Sequence, residues 1–450
     1  MVQQDTSSAT PLWTWRELTQ TLGLRPEEGP NVLRVNTDSR TSMPGDLFVA
    51  LPGDPGPRFN ASYRSAIDGH DFVQDATAGG AIGTLVHNDI ETSLPKLLVQ
   101  DTYDGLWQLG KAAAQRMSGL RFAITGSSGK TTAKSFLTAA LSAYSAPGSF
   151  NNHLGVPLSL ANMPSETDFG VFEVGTNHPG EILPLANLVQ PHVAIVLNVG
   201  VAHIENFADQ NALKTEKLSI FKALADSNMA VWDHSLQCKH GYSFGWEQGA
   251  HAHIKALEGD IMTLELFGED LKAKVPGGGQ HRASTLAAVI LAIKITETDI
   301  EPALDLPSDL VPKGRGNEIS IDGLTLIDDS YNANPASMGA AIQALHRASS
   351  NRKVAILGEM LELGETSEGA HQQILDSAID LDQVVCVGPG FKRAAQSHTN
   401  VEWFDAVSED LLAHLSDTLR QGDRVLVKGS NRVFWQNGFL DKLKDSISRR

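Results

Sequence analysis

The sequence predicts an α/β chain built in three domains. Length is the first observation: 450 residues exceed any ordinary single domain of roughly 100–200 residues. The second is a set of short apolar runs that read as strands buried on both faces: FAIT (122–125), FGVFEV (169–174), VAIVLNV (193–199), KVAILG (353–358), QVVCVG (383–388) and RVLVKG (424–429). The third is what lies between them. After the glycine turn at 126–129, Phe136, Leu137, Ala140, Leu141 and Tyr144 recur at helical spacing. Strand, glycine turn and helix in repetition make parallel α/β layers.

Three regions separate along the chain. Residues 1–100 carry short strands and many turns, as in LPGDPGPRFN. Residues 101–313 open on a helical stretch before Arg121 and close near VPKGRGNE, and residues 314–450 form a further α/β region. PGGGQH (276–281) reads as a loop and KGRG (313–316) as a hinge or linker. Composition is that of a globular protein, with 41% hydrophobic and 20% charged residues. The net charge of -17 argues against nucleic acid or an anionic membrane surface as the partner. It leaves room for an anionic substrate, which needs only a local cationic pocket. Two cysteines, Cys238 and Cys386, supply no disulfide framework, so a reducing, cytoplasmic setting is expected. The N-terminus lacks a basic and then apolar leader, and no apolar run spans a bilayer, so neither a signal peptide nor a membrane helix is expected.

In open parallel sheets ligands bind beyond the carboxyl ends of strands, and most polar motifs here follow a strand run. TGSSGKTT stands between a strand and a helix. Gly126 and Gly129 let backbone N–H groups point inward, and the helix N-terminus adds positive potential. Lys130 would reach terminal phosphates and Thr131 would offer a hydroxyl to Mg²⁺. The plainer reading is a strand-to-helix turn with a capping residue, but Gly-Lys-Thr-Thr at such a junction favours nucleotide. Glu173 sits inside an apolar strand, where a carboxylate needs a cation, either a salt bridge or a metal. His203 follows another buried strand and suits a phosphate or polar-network contact better than Mg²⁺. Lys214 and Lys217 are three apart on a helix, which by spacing alone is a solvated basic face. Asn151 and Asn152 either orient a carbonyl or phosphate or cap a turn. Asp329 can hold ribose hydroxyls and Tyr331 can stack on a base, or the stretch is an ordinary helix start with Asn334-Pro335. LGEMLELGETSEGAH (357–371) either binds a ligand amine or is a solvated acidic loop.

Taken together, these residues resemble the Mur ligase family of peptidoglycan synthesis nearly end to end. TDSR (37–40), PGDLFVAL (44–51) and DGHDFV (68–73) are similar to the family's UDP-muramoyl-binding segment. ITGSSGKTT, NNHLGVPLSL, EVGTNHPGEI and AHIENF resemble its ATPase core, and DDSYNANPASM, LGEMLELGETSEGAH and LVKGS its C-terminal domain. The resemblance implies an N-terminal UDP-sugar-binding α/β domain (1–100), a central ATPase domain with a parallel, P-loop-like sheet (101–313), and a C-terminal Rossmann-like α/β domain (314–450). SYNANP and MLELG point to the member that adds a dipeptide, and the Asp-Asn-Pro-Arg motif of the preceding step is absent.

The roles that follow are those the resemblance implies. ATP would lie on Gly126, Ser127, Ser128, Gly129, Lys130, Thr131 and Thr132, with Arg315, Asp329 and Tyr331 at the ribose and adenine. Mg²⁺ would take Thr131, Glu173, His203 and Lys217, the last as a carbamylated lysine whose oxygen suits a hard metal. Lys130, Lys217 and His203 would carry catalysis. Ser39 would contact uridine, while Asn151, Asn152, Asn332 and Asn334 would contact substrate. The substrates would be UDP-N-acetylmuramoyl-tripeptide and D-alanyl-D-alanine, joined by ATP through an acyl phosphate, and the expected state is a cytoplasmic monomer. Two alternatives stand beside this: a related ligase with another nucleophile, and a nucleotide-binding switch protein without ligase activity. One departure is visible. The family commonly carries His-Asn-x-x-Asn before a Leu-Ala-Ala helix; here Gln280-His281-Arg282-Ala283-Ser284 stands there.

Overall fold

The computed structural model describes residues 10–55, 66–200, 204–398 and 401–449. The end of the LPGDPGPRFN stretch, from Gly56, and the candidate His203 lie outside the described residues. The chain forms two compact units. The first gathers described residues within Met1–Ile124, Leu141–Ala194 and Ser219–Ser227; the second gathers Thr125–Ala140, Ile195–Leu218 and Asn228–Arg450.

In the first unit, β1 (Arg34–Asn36), β2 (Asp46–Val49), β3 (Gly83–Val86) and β4 (Lys96–Leu98) form a parallel sheet in that order. The helix Thr102–Arg116 follows, with Asp101 accepting from the Asp104 N–H as its cap. Leu106, Leu109 and Ala113, spaced for one helical face, are buried with Trp13, Trp15, Leu18, Leu47 and Leu85. The Trp13 indole N–H donates to the Ala161 carbonyl at 2.8 Å, and the Arg116 guanidinium lies 3.7 Å over its ring. Buried Asp46 accepts from Arg34 Nε at 2.8 Å, Asn36 Nδ2 at 3.2 Å and the Met43 N–H at 3.0 Å, which joins the residues on either side of TDSR. Further along, β5 (Leu120–Thr125) pairs in parallel with β6 (Phe169–Glu173).

The second unit holds two sheets. β7 (Val193–Val196), β8 (Ala230–Asp233), β9 (Tyr242–Gly245), β10 (Ala252–Glu258), β11 (Ile261–Leu266) and β12 (Glu269–Lys274) lie in the order β12-β11-β10-β9-β8-β7. β8, β9 and β10 run parallel, whereas β10-β11 and β11-β12 are antiparallel. Strand-helix-strand alternation therefore stops at β8, and parallel pairing stops at β10. The cause is local: the β11-β12 turn is Phe267-Gly268, with φ of 51° and 89°, the conformation that closes a tight hairpin. The other sheet contains β13 (Asn317–Ile321), β14 (Leu324–Asp329), β15 (Arg352–Gly358), β16 (Gln383–Val387), β17 (Val401–Phe404) and β18 (Asp423–Lys428), ordered β13-β14-β18-β15-β16-β17. Only the β13-β14 pair in it is antiparallel.

Along β15, Ala355 and Leu357 join a core with Met338, Ile374 and Phe391, while Val354 and Ile356 join another with Leu411, Phe434 and Phe439. Successive side chains point to opposite faces and both faces are covered, so the strand reads as a continuous apolar run. The α/β class expected from the sequence is the class observed. Among the described residues no helix is long and apolar enough to cross a membrane.

Candidate active site

The glycine loop begins where β5 ends. Thr125 O accepts from the Leu197 N–H at 2.9 Å. The Ser127 N–H then donates to Asn198 O at 3.1 Å, the Ser128 N–H donates to Asn198 Oδ1 at 3.0 Å, and Asn198 Nδ2 donates back to Ser128 O at 3.1 Å. The Gly200 N–H donates to Ser127 Oγ at 2.9 Å. Asn198 is thus the brace of the loop, and the sequence reading missed it. The signal was present as a lone amide at the end of the buried run VAIVLNV. Gly129 has φ +82°, and a Cβ there would meet Thr285 Oγ1 at 3.3 Å and Leu197 Cδ1 at 3.4 Å. The Ala133 N–H donates to Gly129 O at 2.9 Å and starts the helix Lys130–Leu141. A Gly129→Ala substitution is expected to destabilise the protein by about 1–3 kcal/mol through left-handed strain. Denaturant unfolding measures this, and an unchanged midpoint would show that the loop relaxes.

Lys130 curls over the loop, its Nζ donating to Gly126 O at 2.7 Å. Thr131 and Thr132 are buried in the first turn of the helix that follows. Lys217, on the helix Gln210–Leu218, is only 1% exposed. Burial, and then the Lys130 cation, lower its pKa to about 7, against a smaller opposing pull from Glu216. A substantial fraction of a neutral amine therefore exists near neutral pH. Lys214 instead donates to Leu236 O at 2.9 Å. The solvated-face reading fails for Lys217, because the two lysines meet different surroundings.

The remaining wall of the site comes from the linker and the six-stranded sheet. The Gly314 N–H donates to Asp328 Oδ2 at 3.0 Å, and the Tyr331 N–H to Gly314 O at 3.0 Å. Arg315 lies 4.3 Å over the Tyr331 ring, and Trp435 meets that ring edge-on at 5.3 Å. Lys428 Nζ donates to Asp329 Oδ2 at 2.7 Å and to Asn332 O at 3.2 Å. Asn431 Nδ2 donates to Tyr331 O at 3.1 Å.

A cleft of roughly 450 Å³ opens between these parts. Ser127, Ser128, Gly129, Thr132, Arg315, Asp329, Asn332 and Asn334, all singled out by the sequence, line it. Asp233, Phe244 and His281 line it too and were not foreseen as contacts. Ser284, in the departing stretch, accepts from the Trp246 indole N–H at 3.0 Å and donates to Gln280 O at 3.2 Å. A second cavity of roughly 230 Å³ sits past the carboxyl ends of β14, β15 and β18, where Asn332, Asn334, Glu362, Asn431 and Arg432 face it. Asn334 also caps the helix Pro335–Arg347, its Oδ1 accepting from the Ser337 N–H at 2.9 Å.

The other candidates belong to the first unit. Glu173 is 2% exposed at the end of β6. Asn152 Oδ1 accepts from the N–H groups of Leu154 at 3.2 Å and Gly155 at 2.8 Å, which is a capping role. Asn151 O accepts from the Gly175 N–H at 2.7 Å, in the loop just after Glu173. Ser39 starts a 3₁₀ turn, Ser39–Thr41, beside the Asp38–Arg40 ion pair.

Comparison with known proteins adds to this geometry. Residues 124–293 match the family described as Mur ligase middle domain, and residues 314–431 match Mur ligase, glutamate ligase domain. The UDP-N-acetylmuramoyl-tripeptide–D-alanyl-D-alanine ligase of Rickettsia prowazekii is 31% identical, over 96% of this chain and 99% of its own length. A crystal structure of MurF from Acinetobacter baumannii superposes with a TM-score of 0.81 at 29% identity, covering 96% of this chain and 99% of the other. MurF from Thermotoga maritima in complex with ADP gives a TM-score of 0.78 at 28% identity, over 93% and 98%.

Proposed function

The chain belongs to the Mur ligase family, and from that premise we propose that it is the ATP-dependent ligase joining D-alanyl-D-alanine to UDP-N-acetylmuramoyl-tripeptide. The observation that supports this most is the cleft, in which the glycine loop and Asp329 line one space.

Amide formation needs an activated carboxyl group. The tripeptide's terminal carboxylate attacks the γ-phosphorus of ATP, ADP leaves, and an acyl phosphate forms. The dipeptide's free amine then attacks the acyl carbon and inorganic phosphate leaves. Two anions must meet in the first step, so the work of the chain is charge placement. Asn198 already holds the N–H groups of Ser127 and Ser128. The first-turn N–H groups of the helix Lys130–Leu141 are then the phosphate donors, with the Lys130 ammonium turning from Gly126 O to the transferred group. Asp329, paired to Lys428, is the acceptor for the ribose hydroxyls, and Arg315 and Tyr331 flank the base. The second cavity, with Glu362 and Arg432 of opposite charge, suits a zwitterionic dipeptide.

Mg²⁺, when bound, neutralises charge between the carboxylate and the triphosphate. We propose Thr131, Glu173, His203 and Lys217 as its ligands. The donors fit: the Thr131 hydroxyl and the Glu173 carboxylate are buried hard oxygens. Lys217, with a pKa of about 7, can add CO₂ as the free base and lose a proton, becoming an anionic oxygen donor. Ser39, Asn151 and Asn152 remain our candidates for the nucleotide-sugar side. We divide the work as residues 1–100 for UDP-muramoyl binding, 101–313 for ATP, and 314–450 for adenine and dipeptide contacts. The start of the second family match, at 314, supports the last of these boundaries. The expected compartment is the cytoplasm and the expected state a monomer.

ADP release measured with UDP-N-acetylmuramoyl-tripeptide, with and without D-alanyl-D-alanine, tests the reading. Turnover that requires the dipeptide is the expected result. Turnover only with a single amino acid would make the chain a different ligase of the family. ATP hydrolysis indifferent to the sugar nucleotide would leave a nucleotide switch.

A further inference from the structure

Arg282 lies in the first turn of the helix Gln280–Lys294 and is buried. Its Nη1 donates to the carbonyls of Gly277 at 2.7 Å and Gly278 at 3.0 Å, in the loop before its own helix. Its Nη2 donates to the carbonyls of Arg315 at 2.9 Å and Gly316 at 3.2 Å, more than thirty residues away in the linker. A planar fork can bind two pairs of carbonyls in two directions at once, which an ammonium cannot. The approach is close enough that a Cβ on Gly316, where φ is +90°, would collide with Nη2.

The far side of the same linker is sewn to β14. The Gly316 N–H donates to Asp328 O at 2.6 Å, and the Gly314 N–H to Asp328 Oδ2 at 3.0 Å. Between these two anchors stands Arg315, whose carbonyl Arg282 holds and whose guanidinium lies over Tyr331 at the cleft. We infer that Arg282 is a positioning residue for the nucleotide: it pins the 314–316 linker to the start of the helix Gln280–Lys294 and so sets where Arg315 meets its ligand. The inference rests on the reading of the cleft as the ATP site, and it goes beyond that reading by giving the Gln280–Ser284 stretch a role of its own. That stretch departs from the family's common pattern, and here its middle residue ties helix to linker.

Titration with ADP is the test, on the parent protein and on Arg282→Gln, Arg315→Ala and the double variant. If Arg282 acts through Arg315, each single change weakens ADP binding about tenfold and the double variant about tenfold as well, because the second change has nothing left to remove. The KM for ATP rises in parallel while kcat stays within about twofold. Arg282→Gln binding within about twofold of the parent would overturn the inference. So would a double variant weakened by the product of the two single effects, which would make the residues independent. Should Arg282→Gln fail to fold, Arg282→Lys, which keeps the cation and loses the fork, goes through the same cycle with the same criteria. A parent protein that does not bind ADP overturns the nucleotide reading itself, a result separable from either of these.

Discussion

Lys130→Met is expected to slow ligation by about 10²–10³-fold with the fold intact, the loss typical of removing one donor to a developing oxyanion. Methionine keeps roughly the length of the lysine side chain and removes its charge. The expected deficit is in kcat, since the ammonium meets the transferred phosphoryl group most strongly as charge moves in the transition state. A second effect travels with it. The Lys130 cation helps to depress the pKa of Lys217, so its removal lets Lys217 hold its proton to higher pH and take up CO₂ less readily. The variant's rate should therefore recover in part at pH well above 7, where the parent's Lys217 is already deprotonated. Steady-state rates with both substrates saturating, together with a melting curve, check the expectation. A kcat within tenfold of the parent would place the transferred phosphate elsewhere.

Lys217→Met is expected to reduce ligation by about 10³-fold, equivalent to about 4 kcal/mol of barrier, if the carbamate oxygen is a metal ligand. Mass analysis of the native parent should show one CO₂ adduct at Lys217, lost on acidification. A Lys217→Met enzyme with full activity would end the carbamate proposal. The same residue makes a stability prediction. In the folded chain its pKa is about 7, and the ordinary lysine value is 10.5. Between those values the unfolded state binds the proton and the folded state does not, so unfolding free energy rises with pH across that window. Below about pH 7 both states are protonated and the burial penalty on the charged amine is complete. In chain stripped of Mg²⁺ and CO₂, Lys217→Met should remove this rise and be the more stable form at pH 6. Equal slopes for the two proteins between pH 7 and pH 10 would show that the Lys217 amine is solvated.

Much of this was legible in the sequence. The six apolar runs are all strands, because a strand covered on both faces must be apolar at every position, as β15 illustrates with its two cores. The helix that begins at Pro335 starts where its Asn334 cap says, and the helix after the glycine loop covers Phe136 to Leu141 of the expected spacing but ends before Tyr144. The antiparallel β10 to β12 segment was not foreseen. The alternation of Met262, Leu264 and Leu266 with Thr263 and Glu265 in β11 was the available signal, but such a pattern is weak beside a chain full of strand-helix repeats. Asn198 and Arg282 were also beyond reach as a brace and a pin. Each acts on backbone groups distant in sequence, and a residue's type does not tell which far carbonyl it will meet.

The family, the reaction and the chemical vocabulary of the site were thus written in short motifs, since a phosphate loop or a strand-end carboxylate is a local arrangement of a few consecutive residues. The tertiary structure decided which lysine of a pair three apart is the unusual one. Lys214 and Lys217 share a helix and nearly a face, yet Leu236 O satisfies the first while protein surrounds the second beside another cation. A pKa is set by burial and by neighbouring charge, and both are properties of the folded chain.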